Sequence, residues 1–315
     1  MDEHEIDIVE GRCRICGAST DILRLTEFNL KVCGPCYLRF FERRARRAVE
    51  KHDMLSEGDR VVVAVSGGKD STALLYTLKR LALVMGCELS ALHFHLNMGD
   101  YSDRNLEVVE EQSRRSGVPL EVTRIGDLGL RVARVKGWHP CAVCGAIKRS
   151  LLNREARRMG ATVVATAHTL EDILLFTFKN LLSRTYYVPQ PVLPPSGDLP
   201  RKVKPLIYMP ERLNLAYCRL RDLPVFEETC PEWTPRGHSL KDVFQHMEEV
   251  MPSSKLQLLL SLLEAFPAQA ENAASPRSAC ARCGEPTAQQ FCALCQLADW
   301  FSRPRRAPTA PDLPS

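Results

Sequence analysis

The sequence predicts an α/β fold: a doubly wound parallel sheet with a cysteine-rich ribbon at each end. Three observations predict it. From residue 58 onward, short apolar runs alternate with helix-like segments, and this alternation builds a parallel sheet with helices on both faces. The first apolar run drops straight into Ser66-Gly67-Gly68-Lys69-Asp70-Ser71-Thr72, after which a helical pattern begins. Cys-x2-Cys pairs stand two by two, outside the alternating region on both sides.

Taken in order, residues 1–52 read as a ribbon followed by the basic helix YLRFFERRARRAVEKH, in which Arg43, Arg44, Arg46 and Arg47 cluster. Such a run is ordinarily a solvated face, and it is a candidate for RNA-backbone contact. A strand is expected over 60–65, a helix over 70–85, a strand over 88–96, and a helix over 102–116 that Gly117 and Pro119 stop. LEVTRI (120–125) is the third strand. Residues 141–159 form a helix, 161–168 a fourth strand, 170–182 a helix, and RKVKPL (201–206) a short fifth strand. The proline-rich segment 187–200 between them reads as an extended or mobile loop. Helices follow over 210–221, 238–250 and 253–266, the last rich in leucine. A linker (267–278), the second ribbon, and a polar, proline-rich tail expected to be disordered complete the chain. The expected domains are 1–52, 53–266, 267–302 and the tail 303–315. Ligands of such a sheet sit at the carboxyl ends of its strands, where Ser66–Ser71, Asn97–Tyr101 and His168–Asp172 all fall. No extended internal repeat is present.

At 315 residues the chain can bury a large core, and 45% apolar with 25% charged residues is the balance of a globular protein. No apolar run approaches the roughly 18 residues of a membrane span, and the acidic start Met-Asp-Glu-His-Glu lacks a secretory pattern. A cytoplasmic protein without a membrane partner is expected. A net charge of +4 permits nucleic-acid binding without arguing for it.

Thirteen cysteines in such a chain point to metal rather than disulfides. Cys13, Cys16, Cys33 and Cys36 form one set; Cys280, Cys283, Cys292 and Cys295 form the other. Each Cys-x2-Cys turn aims two thiolates at one ion, and two turns complete a tetrahedron, so two structural Zn2+ ions are expected. Cys87 and Cys218 read as small buried side chains. Cys141 and Cys144, in HPCAVCGAIKR, lack a second pair. A redox dithiol, a half zinc site completed by His139 or Cys230, and an iron–sulfur cluster shared with Cys230 all fit their spacing.

The glycine loop holds an anion: two glycines admit close backbone approach, and the helix start offers free N–H groups and a positive dipole end. Ser66, Ser71 and Thr72 add hydroxyls and Lys69 a charge. Asp70 after Lys69, and Val63 four residues before Gly67, exclude the usual Gly-x-x-x-x-Gly-Lys-Ser/Thr loop. The loop instead resembles the PP-loop of the ATP pyrophosphatases, with its adenine nucleotide alpha hydrolase-like sheet, which split ATP into AMP and pyrophosphate. By that resemblance Ser66, Gly67, Gly68, Lys69, Asp70, Ser71 and His168 are the ATP-binding candidates.

Over about residues 10 to 300 the chain also resembles the tRNA 2-thiolation enzymes of the two-thiouridine and two-thioribothymidine synthetase type. The first ribbon, the PP-loop, Pro-Cys-x-x-Cys-Gly-x-x-Lys-Arg, Ala-His before Leu-x-Asp, VKPLIYMPE, ETCP and a terminal Cys-x-x-Cys-Gly-Glu-Pro-Thr carry it. The resemblance implies a [4Fe–4S] cluster on Cys141, Cys144 and Cys230, with Lys148 and Asp172 in the catalytic centre. Lys148 would steady phosphate or developing charge; Asp172 would hold Mg2+ or orient a reactant, with Asp70 assisting. The implied reaction passes AMP from ATP to the C2 oxygen of a uridine-type base in tRNA, after which sulfur carried on the cluster displaces AMP. The sulfur donor implied is a ubiquitin-like protein ending in a thiocarboxylate; a homodimer is left open. The family's Gly-His-Asn-Leu-Asp-Asp-Glu is here Ala167-His168-Thr169-Leu170-Glu171-Asp172-Ile173, so a shifted metal site, substrate or activity is one expectation. Cytidine 2-thiolation and a non-catalytic RNA-binding scaffold are the competing functions; a small-molecule PP-loop ligase leaves eight zinc-type cysteines unexplained.

Overall fold

The computed structural model describes residues 7–135, 137–233, 240–267 and 278–302. Most of the expected linker, all of the expected tail and the start of the helix expected over 238–250 lie outside the described residues.

The chain opens with three short antiparallel strands, β1 (Ile8–Val9), β2 (Ile22–Leu25) and β3 (Leu30–Cys33). Cys33 then caps α1 (Gly34–Lys51), with Pro35 in the first turn, where its missing N–H costs nothing. Tyr37, Phe41, Ala45 and Ala48 recur at helical spacing and are buried along one face.

The central sheet comprises β4 (Arg60–Ala64), β5 (Glu88–His95), β6 (Leu120–Arg124), β7 (Val163–Ala165), β8 (Val192–Leu193) and β9 (Arg201–Val203), in the order β6-β5-β4-β7-β9-β8. All pairings are parallel except β8 with β9. The antiparallel β8 lies in the proline-rich segment expected to be a loop. Two residues and neighbouring prolines give no periodic signal, and an edge position is where a strand tolerates prolines beside it. The expected fifth strand stops at Val203 because Pro205 has no N–H for the ladder.

Helices α2 (Lys69–Met85), α3 (Asp100–Ser116), α4 (Pro140–Arg158) and α5 (Leu170–Leu182) connect the parallel strands, and α6 (Glu211–Leu220), α7 (Leu240–Val250) and α8 (Ser254–Ala265) follow. From β4 the chain proceeds outward to β5 and β6, then returns to β7 on the other side. The switch point therefore lies between β4 and β7, where such sheets bind ligands.

Successive strand residues face opposite sides, and the two sides are separate cores. Val61, Val63, Val163 and Ala165 join the first core, with α1, α2, α6, α8 and the N-terminal ribbon. Val62 and Val164 join the second, with α4 and the C-terminal ribbon. That ribbon consists of β10 (Ser278–Ala279), β11 (Pro286–Thr287) and α9 (Ala293–Ser302), and α9 packs on α4. Each ribbon thus belongs to a different face of the sheet.

Candidate active site

The loop after β4 is shaped by its glycines and by hydrogen bonds from behind. Gly67 has φ +87°, and a Cβ there would lie 2.8 Å from Asn105 Nδ2 and 3.3 Å from Phe226 Cβ, so glycine is required on both counts. The loop carbonyls are taken by the protein: Asn105 Nδ2 donates to Ser66 O (3.1 Å), the Phe226 N–H to Gly67 O (2.9 Å), and Ser71 Oγ to Gly68 O (3.0 Å). Ser71 Oγ also accepts from the Ser66 N–H at 3.1 Å. With its carbonyls turned inward, the loop leaves the first N–H groups of α2 for an anion.

A cavity of about 170 Å³ opens beside the loop at the ends of β4 and β5, lined among others by Ser66, His93, Phe94, Tyr101 and Lys148. His93 Nδ1 lies 2.9 Å from the Val65 carbonyl, to which it donates. Burial, reinforced by Lys148, pulls the imidazole down to about 4 against that bond, so it is neutral at pH 7. Lys148 reaches the cavity from α4, and the same face of that helix carries Cys141 and Cys144 at its N-terminal end.

His139 caps α4, its Nδ1 accepting from the Cys141 N–H at 3.2 Å. The Cys230 segment crosses this end of the helix: Cys141 Sγ is 4.0 Å from Glu232 O, and Cys230 acts electrostatically on Cys144. Burial pushes the Cys144 thiol up while Lys148 opposes it. Arg104 holds Glu228 through two bonds of 2.7 and 2.8 Å, tying the segment to α3. Cys141 is exposed, and Cys144 and Cys230 half-buried. Among the described residues these three do not form a cluster as tight as the ribbons', where all four sulfurs lie within 4.8 Å of one another. Ribbon sulfurs approach to 3.6 Å (Cys16–Cys33) and 3.5 Å (Cys283–Cys292), near the edge of about 3.8 Å that four 2.3 Å Zn–S bonds define. Cys218 is buried as expected, its Sγ 3.4 Å from Lys69 O, whereas Cys87 is half-buried.

On the other side of the switch point, Thr169 and Asp172 cap α5 reciprocally: the Thr169 N–H donates to Asp172 Oδ2 (3.1 Å) and the Asp172 N–H to Thr169 Oγ1 (3.4 Å). His168 Nδ1 lies 2.8 Å from Thr166 Oγ1. Three of the four departures in this segment now have separate explanations. Thr169 supplies the cap, Glu171 turns inward to Lys255 Nζ at 2.8 Å, and Ile173 is fully buried in the first core. Asp172 has company that sequence reading missed. Its Oδ1 accepts from Lys241 Nζ (3.1 Å), which also pairs with Glu211 Oε1. Glu211 Oε2 lies 3.6 Å from Lys69 Nζ, and Lys69 Nζ 3.2 Å from Asp70 Oδ2. Burial pushes the Asp172 carboxyl up, but Lys241 and the Thr169 N–H outweigh it and leave it below its ordinary range. Burial raises Asp70 to about 6, with Glu211 adding to the shift and Lys69 and Asn214 only partly offsetting it. Lys241, Asn214 and His93 carry no motif of their own, and Glu211 closes the VKPLIYMPE segment without standing out as a site residue. They come from distant parts of the chain, and nothing in their spacing brings them together.

The PP-loop domain family matches residues 38–184. The chain is 36% identical to the tRNA-5-methyluridine(54) 2-sulfurtransferase of Thermus thermophilus, over 94% of this chain and 92% of that one. It is 32% identical to the cytoplasmic tRNA 2-thiolation protein 1 of Caenorhabditis elegans, over 87% and 76%. Its fold is similar to that of the U34-tRNA thiolase NcsA from Methanococcus maripaludis, solved with its [4Fe–4S] cluster, with a TM-score of 0.75 over 91% of this chain and 95% of that one at 20% identity.

Proposed function

Because the chain belongs to the tRNA 2-thiolation sulfurtransferases built on a PP-loop ATP pyrophosphatase domain, we propose that it acts on a uridine-type base of tRNA. It adenylates the C2 carbonyl oxygen and replaces that oxygen with sulfur. The observation that carries this reading is α4, which presents Lys148 to the cavity beside the phosphate loop and Cys144 one turn away. The nucleotide site and the thiol site are thus about 6 Å of helix apart.

In the first step the C2 oxygen bonds to the α-phosphorus of ATP, the α–β phosphoanhydride bond breaks, and pyrophosphate leaves. The N–H groups of Gly68, Lys69 and Asp70 and the hydroxyl of Ser66 receive that leaving charge, while Ser71 holds the loop in shape through Gly68 O and the Ser66 N–H. Lys148 neutralises charge at the α-phosphate, and His168 bounds the nucleotide site. In the second step a sulfide-level sulfur bonds to C2, and the C2–O bond breaks as AMP departs with the base's oxygen; no net oxidation occurs. Held by Cys141, Cys144 and Cys230, a [4Fe–4S] cluster would supply an iron without a protein ligand for that sulfur. Asp70 or Asp172 would hold Mg2+, which would supply positive charge against the phosphates, and each four-cysteine ribbon would hold Zn2+. Arg43, Arg46 and Arg47 are exposed on α1 and offer a face to the tRNA backbone. A ubiquitin-like thiocarboxylate is the proposed sulfur donor.

Anaerobic protein incubated with ATP, Mg2+, sulfide and unmodified tRNA should release AMP and pyrophosphate and yield a 2-thiolated uridine-type nucleoside by mass spectrometry. Thiolated cytidine, or no tRNA-dependent pyrophosphate at all, would overturn the reading.

A further inference from the structure

We propose that Lys241 is a positioning residue of the nucleotide site: its ammonium bridges Asp172 and Glu211, and so sets the charge that the triphosphate meets. The inference rests on the ATP-dependent reading above and adds a residue from outside the motifs.

Placement is the first argument. Lys241 occupies the first turn of α7 (Leu240–Val250), the end of a helix where a cation is disfavoured by the dipole. Local preference does not put it there; its tertiary contacts do. It lies 3.1 Å from Asp172 Oδ1 and pairs with Glu211 Oε1, with about a third of its side chain exposed. The other oxygen of Asp172 is already held by the Thr169 N–H, so Lys241 fixes the remaining one. The other oxygen of Glu211 faces Lys69 of the phosphate loop.

Charge is the second argument. Asp70, Glu211 and Asp172 alternate with Lys69 and Lys241 in one continuous chain of ion pairs. Among the described residues of this chain of pairs, three carboxylates face two ammonium groups, an excess of one negative charge. Removing Lys241 leaves two, in a site that must admit a polyanion, and frees Asp172 to rotate. His168 and Lys204 stand close by, but both are held by other partners, Thr166 Oγ1 (2.8 Å) and Gln190 O (2.6 Å). α7 also has an apolar anchor separate from Lys241: Phe244 is buried against Phe178 with ring centroids 5.0 Å apart.

The test is calorimetric titration of ATP into the full, metal-loaded anaerobic protein, with ATP KM and kcat measured in parallel. Lys241→Met should weaken ATP binding at least about tenfold and raise KM more than it lowers kcat. Lys241→Arg should stay within about threefold of wild type. Adding Glu211→Gln to Lys241→Met should restore most of the lost affinity, because it removes the excess carboxylate; a merely structural lysine would show no such recovery. Unchanged ATP affinity in Lys241→Met, equal loss in Lys241→Arg, or no recovery in the double variant would overturn the assignment. Wild-type protein that binds no ATP would overturn the nucleotide reading itself, and the inference with it.

Discussion

At the scale of single residues, the phosphate loop is where the sequence spoke most plainly. Gly67 reads as a backbone necessity and is one: its φ of +87° and the 2.8 Å approach of Asn105 Nδ2 both exclude a side chain. Gly67→Ala should cost about 1–3 kcal/mol of strain and abolish ATP binding, measured by urea unfolding and calorimetry together. Lys69→Ala should abolish AMP formation and leave zinc content unchanged, as elemental analysis would show. His93 was not legible, because a histidine in an apolar strand reads as core. Its folded pKa of about 4 lies below the ordinary 6.5, so the unfolded chain binds the proton more readily. The stability from neutral His93 is complete above pH 6.5 and is lost as pH falls toward 4. Between pH 7 and pH 5 the wild type should lose about 2 kcal/mol on this account. His93→Gln, which keeps a donor for the Val65 carbonyl and does not titrate, should remove that part of the slope in urea unfolding.

At the scale of elements, periodicity made the βα alternation legible to within a few residues from β4 to α5. Gly or Pro punctuates every connection there except Thr166–Thr169 between β7 and α5. β8 was illegible because two residues carry no period. The tie between α5, α8 and the N-terminal ribbon was illegible for another reason: its members lie far apart in sequence and look like surface charges. Glu27 and Lys255 are each only 1% exposed. Lys255 Nζ lies 2.8 Å from Glu171 Oε1 and 3.5 Å from Glu27 Oε1, and Arg212 Nε lies 2.8 Å from Glu27 Oε1. Glu171 is the residue before Asp172, so this buried pairing holds the start of α5 from beneath the site. Lys255→Met should destabilise the protein by about 3–5 kcal/mol, since it strands buried carboxylates. A urea midpoint within error of wild type would show that Glu171 finds another partner or a proton.

At the scale of the whole molecule, the two ribbons are not interchangeable appendages. The N-terminal ribbon completes the core on the α1, α2 and α6 side; the C-terminal ribbon completes the core that carries α4. The sequence shows two similar cysteine sets and cannot show that they lie on opposite faces, because sidedness follows from the crossovers rather than from composition. The consequence separates the two halves of the chemistry. α9 packs on α4, and Cys280, Cys292 and Cys295 belong to the same buried cluster as Val143 and Ile147 of α4. Cys292→Ala should therefore lose one zinc and loosen α4, which carries Cys141, Cys144 and Lys148. Iron retention after anaerobic reconstitution and yield of thiolated nucleoside should fall together. Cys36→Ala strikes the other face: it should lose one zinc and lower overall stability through α1, while the protein that remains folded keeps its iron. Elemental analysis of both variants, with urea unfolding alongside, checks the contrast. Equal iron loss in the two would mean that the sheet transmits damage between its faces, and that the separation of the cores carries no functional weight.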